Sequence, residues 1–293
     1  MKFLQFYRLG FKQQLLLVPA YLSVKLFHSK KIKEQEILIA YFNILVNLKL
    51  RHVAEKKNFF IVKAKGQGCF ALRKIPSSDA VVFEQIFIDK EYEELCRLAK
   101  LYLPPGKVTM IDGGANIGLT SIYVQQQLKG THTLDAVLVE PSSDNVSMIG
   151  ENLLLQKLTH FKIEKAGLYN KKCFLQITND FRNKLEWSIQ VKESAIPTDV
   201  SAMEILGIIK ENGWQKCDIL KLDIEGAESF LFADKQYAAA FLSLTCILAL
   251  EIHKEYVDEQ ALLSLLKSNG FNLNRFGELY IGVNNNYVTT ENN

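Results

Sequence analysis

The chain has 293 residues, enough to bury a large core, and with 48% hydrophobic and 23% charged residues it reads as globular, which excludes a disordered or fibrous protein. A net charge of +3 is too small to mark a nucleic-acid binder. The five scattered cysteines, Cys69, Cys96, Cys173, Cys217 and Cys246, form no C-x-x-C pair, which argues against zinc or redox chemistry and for reduced thiols in a cytoplasmic protein.

Residues 1–33 carry Lys2, Arg8, Lys12, Lys25, Lys30, Lys31 and Lys33 and no acid. The apolar run Leu15 to Phe27 is interrupted by Pro19 and Lys25, falls short of the roughly 20 residues a membrane span needs, and has no A-x-A cleavage signature. Neither a span nor a signal peptide is expected. With Phe3, Phe6, Tyr7, Phe11 and Leu15 to Leu17 interleaved among the cations, the segment reads either as a helical cap on the body or as a peripheral contact with an anionic membrane.

Residues 3–50 read as mostly helical, with Ile37, Leu38, Tyr41, Ile44, Leu45 and Leu48 forming a core-facing stripe. The runs Phe59 to Lys63 and Cys69 to Arg73, joined at Lys65-Gly66-Gln67-Gly68, read as a hairpin, and residues 91–102 as an amphipathic helix. Pro104-Pro105-Gly106 then separates an N-terminal helical and β extension (1–103) from the main domain (104–293).

From Val108 onward apolar strands alternate with helical segments, the signature of an α/β fold with a mostly parallel sheet. Strands are expected at Val108 to Asp112, Ala136 to Glu140, Phe161 to Lys165, Ile219 to Asp223 and Thr245 to Ile252. Helices are expected at Ile117 to Leu128, Ser142 to Leu155 and Ser201 to Asn212, with a short one after Gly226. Phe271 to Phe276 and Leu279 to Val283, around Gly277-Glu278, read as a closing antiparallel hairpin.

The first strand ends in Asp112-Gly113-Gly114-Ala115-Asn116-Ile117-Gly118, an acid and a glycine-rich turn that opens a helix and lets a ligand approach the backbone. The glycine spacing is not G-x-G-x-x-G. A pyrophosphate here would meet the Asp112 carboxylate, whereas the ammonium and sulfonium of S-adenosylmethionine would be attracted to it; the plainer alternative is that Asp112 caps the helix. The next strand ends at Glu140, where a carboxylate can accept ribose hydroxyls. Asp223 ends the fourth strand and Glu225 and Glu228 follow it, and together they could position an acceptor, act as a base or hold a divalent cation such as Mg²⁺ or Mn²⁺, with Asp223 and Glu225 as the ligands; alternatively Glu228 only favours a helix N-terminus that Asp223 caps. No N/D-P-P-Y/F follows this strand, so the usual amino-group and DNA-adenine methylation signature is absent. His253, at the end of the fifth strand, is a candidate proton acceptor, with a structural histidine as the alternative. Trp187 and Trp214 read as packing residues.

Asp112-Gly-Gly-Ala-Asn-Ile-Gly118, Val139-Glu-Pro141 with Asn145 and Asn152, and Leu220-Lys-Leu-Asp-Ile-Glu-Gly-Ala-Glu228 resemble the FkbM-type methyltransferase family. Ser78-Asp79, Val82-Phe83 and Gln85-Ile-Phe87 before Glu91-Tyr92 are similar to its lead-in segment, and Glu251-Ile-His253 to its fifth strand end. The resemblance spans about residues 70 to 283 and implies a class I, Rossmann-like fold and S-adenosylmethionine as methyl donor. It also implies that Asp112, Gly113, Gly114, Asn116 and Gly118 hold the methionyl part and Glu140 the ribose. The acceptor implied is a hydroxyl on a sugar, a free or lipid-linked glycan or a secondary metabolite, and not a nucleic acid, with Asp223, His253 and Glu228 on the reacting side. An NAD-dependent oxidoreductase and a catalytically silent binding module remain as alternatives.

Overall fold

The computed structural model describes residues 3–17, 32–178 and 190–287. Pro19 to Phe27 and Trp187 lie outside them. Phe3–Arg8 is a 3₁₀ turn, and residues 11–17 form a short helix that buries Gln13 and Leu17 but leaves Phe11 76%, Leu15 62% and Leu16 53% exposed. Helix α1 (Ile32–Asn47) leads into strands β1 (Leu50–Glu55), β2 (Phe59–Ala64) and β3 (Gly68–Arg73), an antiparallel meander. β2 and β3 are the expected hairpin. β1 was not expected; its buried-exposed alternation over Leu50 to Val53 is too short to break the helical reading upstream.

Helix α2 (Asp79–Phe83) runs into a π-helical turn at Glu84–Ile88, and α3 (Glu93–Tyr102) follows. Phe70, Phe83, Phe87 and Tyr123 stack or meet edge-on with ring centroids 4.8 to 5.5 Å apart, and burial of each aromatic contributes about 1.5–3 kcal/mol. Asn152 bonds both the N–H (2.7 Å) and the carbonyl (3.2 Å) of Ala71 and the carbonyl of Ile117 (3.0 Å). Residues on both sides of the expected boundary at 103/104 thus share one core.

The main domain runs β4 (Gly106–Gly113), α4 (Leu119–Leu128), β5 (His132–Val139), α5 (Ser143–Gln156), β6 (Lys162–Glu164), β7 (Ala166–Leu168), β8 (Phe174–Thr178), β9 (Gln190–Ser194), β10 (Val200–Met203), α6 (Ile205–Glu211), β11 (Cys217–Leu222), α7 (Glu228–Leu231), α8 (Lys235–Ser243), β12 (Thr245–Glu251), α9 (Glu259–Ser268), β13 (Phe271–Phe276) and β14 (Leu279–Asn284). Seven strands form the main sheet in the order β13-β14-β12-β11-β4-β5-β6. β14 is antiparallel to both its neighbours, and the remaining pairs are parallel. The expected parallel sheet with a closing hairpin is therefore present. Alternate residues of β12 enter opposite cores, Ile247 and Ala249 on one face and Leu248 and Leu250 on the other, so the sheet is covered on both sides.

Residues 166–203 differ from expectation. β7, β10, β8 and β9 form a second sheet in that order, and the helix expected from Ser201 is a strand until Met203. Val200 and Ala202 point inward and Ser201 outward, a period of two that pairs with β7 and β8 before α6 begins at Ile205. The chain passes from β4 to β5 on one side and returns to β11 on the other. This is the switch point at which a crevice opens beyond the strand ends.

Candidate active site

Beyond β4 the backbone turns through left-handed conformations at Gly114 (φ 69°), Asn116 (φ 51°) and Gly118 (φ 81°). A Cβ on Gly114 would overlap the carbonyl oxygen of Asp223, so glycine is required where the loop crosses the end of β11. Gly118 is the N-cap of α4, and Asp112 does not cap it. Asp112 instead lies fully buried beneath the loop, where it accepts from Ser121 Oγ (2.6 Å) and pairs with Lys221 Nζ at 3.3 Å. Lys221, 2% exposed, also donates to the carbonyls of Gly113 (3.0 Å) and Gly114 (2.7 Å) and lies 3.7 Å from Asp223. Burial alone would favour its neutral amine, but Asp112 and Asp223 outweigh that and raise its pKa. Sequence reasoning missed Lys221, although a lysine inside the apolar strand Ile219-Leu-Lys-Leu222 was a visible signal.

The loop and the strand ends open into a cavity of about 490 Å³, within the range of small-ligand sites. Gly114, Asn116, Glu140, Lys221, Asp223 and Glu225 line it, whereas Asp112, Gly113 and Gly118 are not among its lining residues. Glu140 accepts from the N–H groups of Asn116 (2.8 Å) and Ser142 (3.0 Å) and from Asn145 Nδ2 (3.1 Å). Burial pushes its pKa up to about 7 against those donors. A carboxylate so held keeps acceptor capacity toward the cavity, as vicinal hydroxyls require, and the glycine turn leaves room for a ligand at the backbone. These residues fit an adenosine-type cofactor.

Five further acidic side chains, Glu91, Asp223, Glu225, Glu251 and Glu278, are among the residues that line the cavity. Burial and the Asp223 charge push Glu251 up to about 8 and Glu91 up to about 7. His253 is not among the lining residues and faces a smaller cleft that shares Glu251 and Glu278. Its Nδ1 is 3.1 Å from Glu228 and its Nε2 3.4 Å from Glu225 and 3.6 Å from Glu251. Burial would lower its pKa, but hydrogen bonding to Glu225 and Glu228 overrides this and pushes it up to about 11. Both ring nitrogens thus face carboxylates, an arrangement that favours the protonated ring over one free to accept a proton. Glu228, fully buried, accepts from His253 and from the N–H of Ile224 (3.3 Å). Of the residues expected on the reacting side, Asp223 lines the cavity, while His253 and Glu228 form a charged clasp behind it. Among the described residues, the side chains within common reach of one cation are Asp223, Glu251 and His253; Glu225 is not in that set. Sequence reasoning missed Glu251 as a candidate base. Its signal was its position two residues before His253, on the same side of a strand that neighbours β11.

The Methyltransferase FkbM domain matches residues 112–273, more than half of the chain. The chain is 25% identical over 199 residues to methyltransferase sdnD of Sordaria araneosa, covering 57% of this chain and 72% of that protein. Among solved structures it is similar to methyltransferase FkbM from Methylobacillus flagellatus KT (TM-score 0.41, 15% identity, 61% of this chain) and spans only 44% of that protein's length. It is also similar to M. jannaschii TYW2 in complex with AdoMet (TM-score 0.36, 13% identity, 79% of this chain and 86% of that one). With the glycine loop after β4 and the acidic block after β11 inside the matched span, the chain belongs to the FkbM family of S-adenosylmethionine-dependent methyltransferases.

Proposed function

We propose that this methyltransferase acts on a hydroxyl of a small acceptor, a sugar, a free or lipid-linked glycan or a secondary metabolite, in the cytoplasm. The observation that carries the reading is Glu251, a carboxylate of raised basicity on the wall of the cavity into which the glycine loop opens. S-adenosylmethionine, when bound, supplies a methyl group already activated on a sulfonium. Asn116 and Glu140 would hold it, with Asp112, Gly113, Gly114 and Gly118 shaping the loop. Glu251 would take the hydroxyl proton as the acceptor oxygen bonds the methyl carbon and the carbon–sulfur bond breaks, with S-adenosylhomocysteine as the leaving group. A carboxylate near pKa 8 accepts that proton more readily than one near 4, and such a base typically contributes 10²–10⁴-fold. Asp223 sustains the raised value, and the His253–Glu228 clasp holds Glu225 and Glu251 in place. Val82, Ile86 and Tyr92 add side chains of apolar character to the lining.

Among the described lining residues the only Lys or Arg is Lys221, already paired with acids, so the cavity offers little attraction to a phosphodiester, in keeping with a small uncharged or cationic acceptor rather than a nucleic acid. Family membership replaces the oxidoreductase alternative. The test is calorimetric binding of S-adenosylmethionine and S-adenosylhomocysteine, with NAD as control, followed by methyl transfer to hydroxyl and amine acceptor panels. Product labelled only on nitrogen would overturn the hydroxyl assignment.

Among the described residues no helix is long and apolar enough to cross a membrane. Tyr7, Phe11, Leu15 and Leu16 stand exposed beside Lys12, in a segment of seven cations and no acid. That charge complements an anionic bilayer, and we propose peripheral contact with one there, which suits a lipid-linked acceptor.

A further inference from the structure

Lys221 is a cation buried in the wall of a cavity proposed to hold a cationic cofactor, and so calls for a physical account. Its neighbours supply one. On one side it meets Asp112, which is buried and does not line the cavity; on the other it meets Asp223, which lines the cavity with 30% of its side chain exposed. Between them it donates to the carbonyls of Gly113 and Gly114. The sequence alone suggests that Asp112 is the anion that attracts the ligand's positive groups. In the fold Ser121 donates to the Asp112 Oδ2 and the Lys221 ammonium lies 3.3 Å from its Oδ1, which has no hydrogen-bond partner among the described residues, so the lysine offsets the carboxylate's charge without a hydrogen bond.

We propose that Lys221 is a positioning and charge-setting residue for the cofactor: it cancels Asp112, fastens the glycine loop to β11, and leaves Asp223 as the net negative charge at this part of the cavity. The inference rests on the S-adenosylmethionine reading above. Without Lys221 the charge of Asp112, buried behind the loop, would add to that of Asp223 at the cavity wall. The donor would then be held more tightly than the state in which sulfur has lost its charge, and uniform or ground-state binding of that kind does not raise the rate. Lys221 limits that excess attraction while keeping the loop in register.

Charge bookkeeping makes this testable by binding alone, because S-adenosylmethionine carries a sulfonium where S-adenosylhomocysteine has a neutral thioether. Dissociation constants for both are measured by calorimetry for the parent, Lys221→Met, Asp112→Asn and the double variant, with circular dichroism and thermal melting confirming the fold. Lys221→Met is expected to shift the ratio toward S-adenosylmethionine on the order of tenfold, the scale of losing one unit charge near a partly buried site at an effective dielectric of about 20. Asp112→Asn, nearly isosteric and informative even where Lys221→Met does not fold, is expected to shift the ratio the opposite way. The double variant should return it toward the parental value. A parental ratio in both single variants, whatever happens to absolute affinity, would reduce Lys221 to a structural fastener and overturn the proposal. Failure of the parent to bind either ligand would instead overturn the cofactor reading on which it depends.

Discussion

Replacing His253 with alanine removes the cation that faces Glu228, a carboxylate with no exposed surface whose second oxygen has no hydrogen-bond partner among the described residues. Breaking a buried charge pair from one side costs about 3–5 kcal/mol, because the remaining charge is neither solvated nor paired. Urea denaturation followed by circular dichroism at pH 7 should show a loss of that size, and Glu228→Gln added to the variant should recover part of it. The pH dependence has a definite sign. The histidine titrates near 11 in the folded state against an ordinary 6.5, so its stabilisation is complete below about pH 6.5 and is lost as pH rises through about 11. Between those values the limiting slope is about 1.4 kcal/mol per pH unit. From pH 7 to 9 the parent should therefore lose stability more steeply than His253→Ala. A variant within about 1 kcal/mol of the parent at pH 7, or one with an identical pH slope, would refute the clasp and reopen His253 as a neutral base.

The proton acceptor is tested by rate: Glu251→Gln should slow methyl transfer by about 10²–10⁴-fold with cofactor affinity retained, and the parent rate should rise with pH along a limb near 8. Glu278→Gln, in the exposed turn between β13 and β14, should move that limb to lower pH by removing a negative charge that raises Glu251; an unmoved limb would assign it to another group. Because both ring nitrogens of His253 face carboxylates, EDTA is expected to leave the rate unchanged; a loss restored by Mg²⁺ or Mn²⁺ would bring back a cation on Asp223 with Glu225 or Glu251. Co-sedimentation with anionic liposomes at low salt should fall when Phe11 and Leu15 are both changed to serine, and binding that survives removal of residues 1–33 would end the membrane proposal.

The features legible in the sequence are those written in short stretches of chain. Strand–helix alternation from Val108, the glycine turn at 113–118, Glu140 at a strand end and the hairpin around Gly277-Glu278 depend on local periodicity and turn chemistry, and the fold reproduces them within a few residues. The second sheet escaped because its pairing is non-local. Val200 to Met203 is too short to show a period, and its partners are β7 and β8, some 25 to 35 residues earlier.

The site divides in the same way. Residue types and order alone made Asp112 an acid before a glycine loop, Asp223, Glu225 and Glu228 an acidic block, and His253 a histidine at a strand end. Only the tertiary structure decided what each one faces. Parallel pairing of β4 with β11 sets Lys221 opposite Asp112 and turns an apparent ligand-facing anion into an internally paired one. Pairing of β11 with β12 brings His253 against Glu225 and Glu228, so that it holds its proton, and sets Glu251 beside Asp223, so that it gains basicity. The physical reason is that charge interactions and desolvation depend on distances through space between strands far apart in sequence, whereas secondary structure is encoded by neighbours along the chain.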